Sequence, residues 1–230
     1  MDVKSRIQDV PASGRVKKRT TGIVGLNLLL DGGFPEGTLI MIYGTPVAGV
    51  DLAAKQFWQA EGGEEGTYLI NEGDVETGMS DALDLHPEMY IPQMAGSRIV
   101  VDSLSSIIIR YGIEEALKFL KKAREEMRNH SANLLFVVYT GIHTPMEMTR
   151  IMRAADIVIE FKTDIHQSDI ERILAVHKIK DAAAPRGCSP SSSPTGVLKP
   201  RPHRVWSDRT SGPRPVFFFF IFSGTAPVSG

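Results

Sequence analysis

Apolar positions along this chain alternate between two rhythms, continuous β-favouring runs and helical stripes. Thr38–Tyr43 is an unbroken apolar run, as a strand buried on both faces requires. Leu52, Ala53, Phe57 and Ala60 then recur at helical spacing and predict a helix over Leu52–Glu61. Further strands are predicted over Gly66–Gly73, Ile99–Leu104 and Ala132–Thr140. The longest stripe, Ile113, Ala116, Leu117, Leu120, Ala123 and Met127, predicts a helix over Ile113–His130. Its outer face carries mixed charge and needs no ligand. Shorter helices are expected over Asp74–Leu85, ended near Pro87, and over Pro145–Ala155, where Met146, Met148 and Met152 read as packing residues. Ala155–Phe161 and Arg172–Ile179 read as a strand pair joined by polar residues 162–171. Leu26, Leu29 and Leu30 allow one helical turn, broken by Asp31-Gly32-Gly33, and Phe34–Gly37 is a turn. Strands alternating with helices predict an α/β fold around a mainly parallel sheet.

Between the first strand and its helix lies Gly44-Thr45-Pro46-Val47-Ala48-Gly49-Val50-Asp51. The glycines match the phosphate-cradling pattern G-x-x-x-x-G-K-[S/T], but Val50 stands at the Lys position and Asp51 at the hydroxyl position. In a working loop, backbone N–H groups and the helix N-terminus hold phosphate oxygens, the Lys reaches the outer phosphates and the hydroxyl binds Mg²⁺. Two unit charges ~4 Å apart interact by roughly 4 kcal/mol at an effective dielectric of about 20. Loss of the Lys forfeits an attraction of that order, and an Asp51 facing phosphates adds a comparable repulsion unless a metal intervenes. The simpler reading makes Asp51 an N-cap or first-turn acid favoured by the helix dipole.

Composition suits one globular domain with an appendage: 230 residues, 42% hydrophobic, formal net charge −1. A pI near 6.6 argues against general nucleic-acid binding. Cys188 is the sole cysteine, which precludes an internal disulfide and fits a reducing, cytoplasmic setting. Residues 1–20 are polar, unlike a signal peptide, and no apolar run approaches the ~18 residues of a membrane span. The charge is unevenly spread. Met1–Asp181 holds 20 Lys and Arg against 26 Asp and Glu, whereas Ala182–Gly230 holds six basic residues and one acid, Asp208. Eight of the fourteen prolines also follow Asp181, so a boundary falls there. Val16-Lys17-Lys18-Arg19 reads as a solvated basic arm. His143, His166 and His177 lack metal-ligand spacing, no metal site is expected, and no internal repeat is visible.

The segment Thr20–Pro46, TGIVGLNLLLDGGFPEGTLIMIYGTP, resembles the entry of the RecA superfamily, most closely its KaiC-like and RadA-like branch. The Thr-Gly, Gly-Gly and Pro-x-Gly spacings carry the resemblance, which extends over about Thr20–Lys180. It implies a RecA-like phosphate-loop NTPase fold, a three-layer sandwich over residues 20–181. An N-terminal arm over 1–19 precedes it, and a low-complexity, disordered or frame-shifted tail over 182–230 follows. The resemblance also implies site roles. Gly44, Thr45, Gly49, Val50 and Asp51 take the nucleotide-binding positions, and Glu72 the general-base position, with Gly73 replacing a second acid. Asp102 takes the Mg²⁺-associated position and Thr140 that of a γ-phosphate sensor. Lys178 and Lys180 stand where the family has a basic pair reaching a neighbouring subunit's nucleotide, with Lys180 replacing an Arg that grips phosphate bidentately. Three functions follow. One is a catalytically degenerate protein with a regulatory or assembly role and little or no ATP and Mg²⁺ binding, acting through protein partners or as a homo-oligomer. Another is an ATP-binding protein or slow ATPase using Asp51 and Asp102 for Mg²⁺ and Glu72 as base. The last is a DNA recombinase paralogue, disfavoured because no basic stripe with interleaved aromatics is present. Val216–Phe222 reads as an isolated sticky patch.

Overall fold

β-Branched and aliphatic runs build an eight-stranded sheet whose central strands are covered on both faces. The computed structural model describes residues 17–60, 65–166, 169–180 and 216–219. In chain order the strands are β1 Lys18–Arg19, β2 Phe34–Pro35, β3 Leu39–Gly44, β4 Gly66–Ile70, β5 Met79–Asp81, β6 Arg98–Asp102, β7 Asn133–Tyr139, β8 Ile157–His166, β9 Asp169–Ile179 and β10 Val216–Phe219. The α-helices are α1 Val24–Leu29, α2 Val50–Trp58, α3 Tyr90–Gln93, α4 Leu104–Asn129 and α5 Pro145–Ala154. The main sheet runs β10-β9-β8-β3-β7-β6-β4-β5, and β1 and β2 form a separate antiparallel pair. From β8 to β5 every neighbouring pair is parallel, while β9 and β10 add antiparallel strands at one edge.

Side-chain alternation divides the core between the two faces. Leu39 and Met41 of β3, Ile99 and Val101 of β6, and Leu134, Phe136 and Val138 of β7 pack under α4 and α5. Ile40, Ile42, Val100, Leu135 and Val137 pack on the opposite face, against α1 and α2. This is the expected three-layer arrangement.

Buried polar side chains tie the segment before β3 to the sheet. Arg98 is almost completely buried; its guanidinium donates to the Thr20 and Phe57 carbonyls at 2.8 and 3.0 Å and lies 5.2 Å from the Phe57 ring centre. The Asn133 amide donates to the Pro35 carbonyl and the Thr38 hydroxyl.

Three elements differ from the sequence reading. The helix expected over Asp74–Leu85 is a loop followed by β5, which pairs parallel with β4. Gly73 and Gly78 adopt φ of 113° and 89°, outside the helical region, and Met79 alone of β5 turns inward. Helix α4 begins at Leu104, capped by Ser103, whose hydroxyl accepts from the Ser106 N–H. Gly112, at φ 83° and ψ 164°, interrupts it, so the stripe starting at Ile113 marks only its second segment. Residues 162–166 continue β8 past the last residue paired with β3, Phe161 against Gly44. That extension is held through backbone pairing with β9 alone.

Of the tail, Val216–Phe219 is described, as the outermost strand, antiparallel to β9. Val216–Phe219 is thus paired rather than isolated, while residues 220–222 of the patch lie outside the described residues; β9 offers an open edge, and Val and Phe favour the strand conformation. Cys188 and the disordered or frame-shifted reading of the tail lie outside the described residues, as does the arm before Lys17; the end of the basic cluster is not solvated, because Lys18–Arg19 form β1 and the buried Arg19 donates to the Ser131 carbonyl and pairs with Glu36.

Candidate functional site

Parallel strands point their C-terminal ends to one edge, so Gly44, Asn71, Asp102 and Thr140 gather around a crevice there. Strand β7 separates β3 from β6 and joins the first wall: the Thr140 N–H donates to the Gly44 carbonyl at 3.0 Å. Gly44 is fixed by close approach, since a Cβ there would lie 2.5 Å from the Phe161 carbonyl oxygen. After Thr45, Pro46–Ala48 form one 3₁₀ turn, closed by the Ala48 N–H on the Thr45 carbonyl at 3.0 Å. Gly49, at φ 84° and ψ 27°, then starts α2.

The two altered loop positions diverge. Val50 is fully buried; its Cγ1 would meet a Cβ on Gly44 at 3.1 Å, so it fills space beneath the turn. Asp51 is exposed in the first turn of α2, a favourable place for an anion. Two cations that the sequence reading missed border the turn. Arg172, on β9, places Nε 3.6 Å from where a Gly49 Cβ would stand. Lys55, one turn along α2 from Asp51, forms an ion pair with Glu76 at 2.6 Å. That hydrogen bond is the main cause of its raised pKa, with smaller contributions from Asp51 and Asp102. Lys55 was recoverable from its four-residue spacing to Asp51. Arg172 had no local signal, because only the β8–β9 pairing brings it near Gly49.

Asp102 ends β6 and is buried. The Tyr68 hydroxyl donates to its Oδ2 at 2.7 Å, and the Tyr139 hydroxyl to its Oδ1 at 3.4 Å. Burial pushes its pKa up, partly opposed by the two phenol hydrogen bonds. Both phenols titrate well above the ordinary tyrosine value, through burial first and the Asp102 charge second. A metal-bound water at Asp102 therefore competes with two phenol donors. The Asp102–Ser103 peptide is cis.

Glu72 is exposed beyond the end of β4. Its neighbour Asn71 is buried instead: its N–H donates to the Asp102 carbonyl and its amide to the Tyr90 hydroxyl, at 2.7 and 2.6 Å. Burial pushes the Tyr90 phenol up to about 12. Among the described residues no three His, Cys, Asp or Glu side chains converge on a metal position.

Lys178 and Lys180 stand at the other edge of the sheet, because β9 runs antiparallel to β8. The Lys178 ammonium donates to the carbonyls of Met152, Arg153 and Ala155 at the end of α5. Lys180 lies 3.7 Å from Asp156. Within one chain the crevice thus gathers Gly44, Thr45, Gly49, Asp51, Glu72, Asp102 and Thr140, without these two lysines.

Residues 70–188 match the model of a family described as a family of unknown function, DUF7125. The chain belongs to this family. The DUF7125 match begins after the Gly44 turn and includes Glu72, Asp102, Thr140 and both distal lysines. No curated protein matches the chain. Among solved structures, it is similar to a KaiC-like protein from the hyperthermophilic archaeon Pyrococcus horikoshii OT3. That likeness has a TM-score of 0.58 and 19% identity, covering 72% of this chain and 90% of that one. It is also similar to the flagellar accessory protein FlaH from Methanocaldococcus jannaschii, with a TM-score of 0.53 and 16% identity, covering 68% of this chain and 84% of that one. These likenesses give this DUF7125 chain a RecA-like fold. No helix among the described residues is long and apolar enough to cross a membrane.

Proposed function

We propose that this chain is a catalytically degenerate RecA-like protein that acts as a regulatory or assembly partner and holds ATP weakly or not at all. The observation that carries this reading is the pair Val50 and Asp51. One is an apolar side chain turned into the core where the loop pattern asks for a cation, and the other an exposed carboxylate where it asks for a hydroxyl. The residues at the turn do not fit a magnesium–triphosphate. Asp102 supports the same reading, since its oxygens already accept from Tyr68 and Tyr139. Titration with a fluorescent ATP analogue is expected to give no saturation below millimolar concentration. Asp51→Thr, which removes an exposed charge and leaves the core intact, is expected to strengthen binding, and Val50→Lys/Asp51→Thr to strengthen it further. Micromolar binding by the unmodified chain overturns the reading.

A second reading, ATP binding with slow hydrolysis, is favoured by the Arg172 guanidinium beside Gly49. There Asp51 and Asp102 serve Mg²⁺ and Glu72 is the base. It requires phosphate release that Glu72→Gln abolishes and nucleotide binding that Arg172→Ala weakens. Release no faster than a protein-free blank disposes of it.

A further inference from the structure

The edge of the sheet opposite the Gly44 turn carries an open cleft of about 510 Å³ between the second half of α4, the end of α5 and the end of β9. Lys121, Arg124, Arg128, Arg153, Lys178 and Lys180 line it, and Asp156 is the one carboxylate in its wall. Part of that charge is used within the fold. Arg124 pairs with Asp156 and donates to the Ala154 carbonyl, and Lys178 covers the carbonyls of Met152, Arg153 and Ala155. Asp156 also accepts from the Leu39 N–H at 3.0 Å, with Lys180 at 3.7 Å. Lys121, Arg128 and Arg153 are exposed, and none makes an ion pair or a side-chain hydrogen bond among the described residues. Burial lowers the Lys178 pKa, and Arg124, Lys180 and Arg153 lower it further against the pull of Asp156, so the cleft holds an excess of positive charge.

The free side chains here are donors only, since Lys and Arg carry no acceptor. The carbonyls at the end of α5, which would repel an anion, are already taken by Lys178 and Arg124. A peptide would bring backbone N–H groups that find no free side-chain acceptor in the wall. No aromatic side chain lines the cleft, so a nucleic-acid base has nothing to stack on. Lys121 and Arg128 stand on one face of α4, two turns and about 10 Å apart along its axis. One tetrahedral phosphate cannot reach both, whereas a chain of several phosphate groups can.

The chain that continues from the cleft supplies no such anion. Lys180 lines the cleft, and the next described residue, Val216, pairs with Val176 on β9. Residues 182–215, which join the two, hold six basic residues against one acid, Asp208. A segment of that charge adds to the positive excess rather than neutralising it, so the ligand comes from another molecule. We propose that the cleft is a binding site for inorganic polyphosphate, a chain of phosphate groups with no nucleoside, held by Lys121 and Arg128 of α4 and Arg153 of α5. Guanidinium groups suit this role because they meet phosphate oxygens bidentately. The site lies apart from the Gly44 turn and does not depend on whether that turn holds a nucleotide.

Isothermal titration of the full chain with sodium polyphosphate at about 0.1 M salt, where the Debye length is about 10 Å, tests it. Saturable binding is expected for polyphosphate of tens of units, weaker binding for tripolyphosphate, and none for orthophosphate at the same phosphate concentration. Affinity is expected to fall as salt rises. Arg128→Gln/Arg153→Gln is expected to weaken binding at least tenfold and to lower the salt slope by about two, one for each lost contact. Lys118→Gln/Lys122→Gln removes the same charge from positions of α4 outside the cleft and is expected to change affinity less than twofold. All four side chains are exposed, so folding is preserved in both variants. Equal weakening by the two pairs overturns the site in favour of attraction by net charge alone. Absence of polyphosphate binding overturns it, as does orthophosphate that binds as tightly as the chain. Tighter binding of single-stranded DNA or of polyglutamate, lost in Arg128→Gln/Arg153→Gln, also overturns it and gives the cleft a different occupant. Nucleotide is read separately: micromolar binding of the ATP analogue that survives Arg128→Gln/Arg153→Gln defeats the function proposed above and leaves the cleft standing.

Discussion

Asp102 and Asp156 are both buried, both close to the end of a parallel strand, and held in opposite ways. Asp102, at the C-terminal edge, accepts from two neutral phenols. Asp156, at the N-terminal edge, faces the Arg124 guanidinium, the Lys180 ammonium and the Leu39 N–H. A neutral donor shell leaves the desolvation of a carboxylate only partly offset, and the Asp102 pKa rises accordingly. A cationic shell makes the carboxylate a counterion whose removal strands a positive charge. Position at a strand end therefore says little about the role of an aspartate; the charge state of its partners says more.

The comparison breaks most sharply at Asp156. Asp156→Ala is expected to cost about 2–3 kcal/mol, at or below the low end of the range for a broken buried pair, because Arg124 keeps 21% of its side chain exposed. It also leaves the Leu39 N–H without its side-chain acceptor. Urea denaturation is expected to show a lowered midpoint with an unchanged m-value. A loss under 0.5 kcal/mol refutes the counterion role.

Tyr68→Phe ranks next. It removes the shorter of the two phenol bonds to Asp102 and leaves Oδ2 buried without that donor, at a cost of about 1–3 kcal/mol. Tyr139→Phe removes a 3.4 Å bond and is expected to cost less. If the two variants are equal in urea denaturation, the geometry assigned to Asp102 is wrong.

A third test uses pH. The folded-state pKa of Asp102 lies above its unfolded value, so its contribution favours the fold fully below the unfolded pKa and is lost as pH rises through the folded one. Asp102→Asn cannot ionise and removes that loss. Its stability relative to wild type is expected to rise as pH increases from below the unfolded pKa to beyond the raised folded one. A difference that stays flat or falls over that interval contradicts the assignment.

How far the sequence reached follows the same division between local and distant causes. Strands β3, β6 and β7 were legible because burial on both faces writes a continuous apolar run. Gly44, Glu72, Asp102 and Thr140 could be placed at one edge of the sheet because each stands at or just beyond such a run, and Asp51 because the Gly44–Gly49 turn leads into its helix. Tyr68 and Tyr139 were not read as partners of Asp102, since their meeting depends on strand order rather than on spacing. Arg172 was hidden for the same reason. The Asp74–Leu85 error has a different origin. A charged stretch with scattered apolar residues satisfies a helical pattern loosely, and the positive φ of Gly78 together with the pairing of Met79–Asp81 on β4 rules it out.

The smallest expected effect sharpens the crevice side of the comparison. Lys55 pairs with Glu76 at 2.6 Å, with side chains 29% and 51% exposed, so solvent screens the pair. Lys55→Met is expected to cost no more than about 1 kcal/mol, the upper range for exposed ion pairs. Its electrostatic reach is the more informative readout. Lys55 is the cation that pulls the Asp102 pKa down, the weakest of the influences on that carboxyl, so its loss moves the Asp102 titration further upward. Following the Asp102 carboxyl carbon by NMR during a pH titration separates the two contributions. An upward displacement with little change in stability places Lys55 in the field of the crevice. A titration that does not move confines Lys55 to its surface partner and leaves Arg172, beside Gly49, as the described cation with a claim on an anionic ligand at the turn.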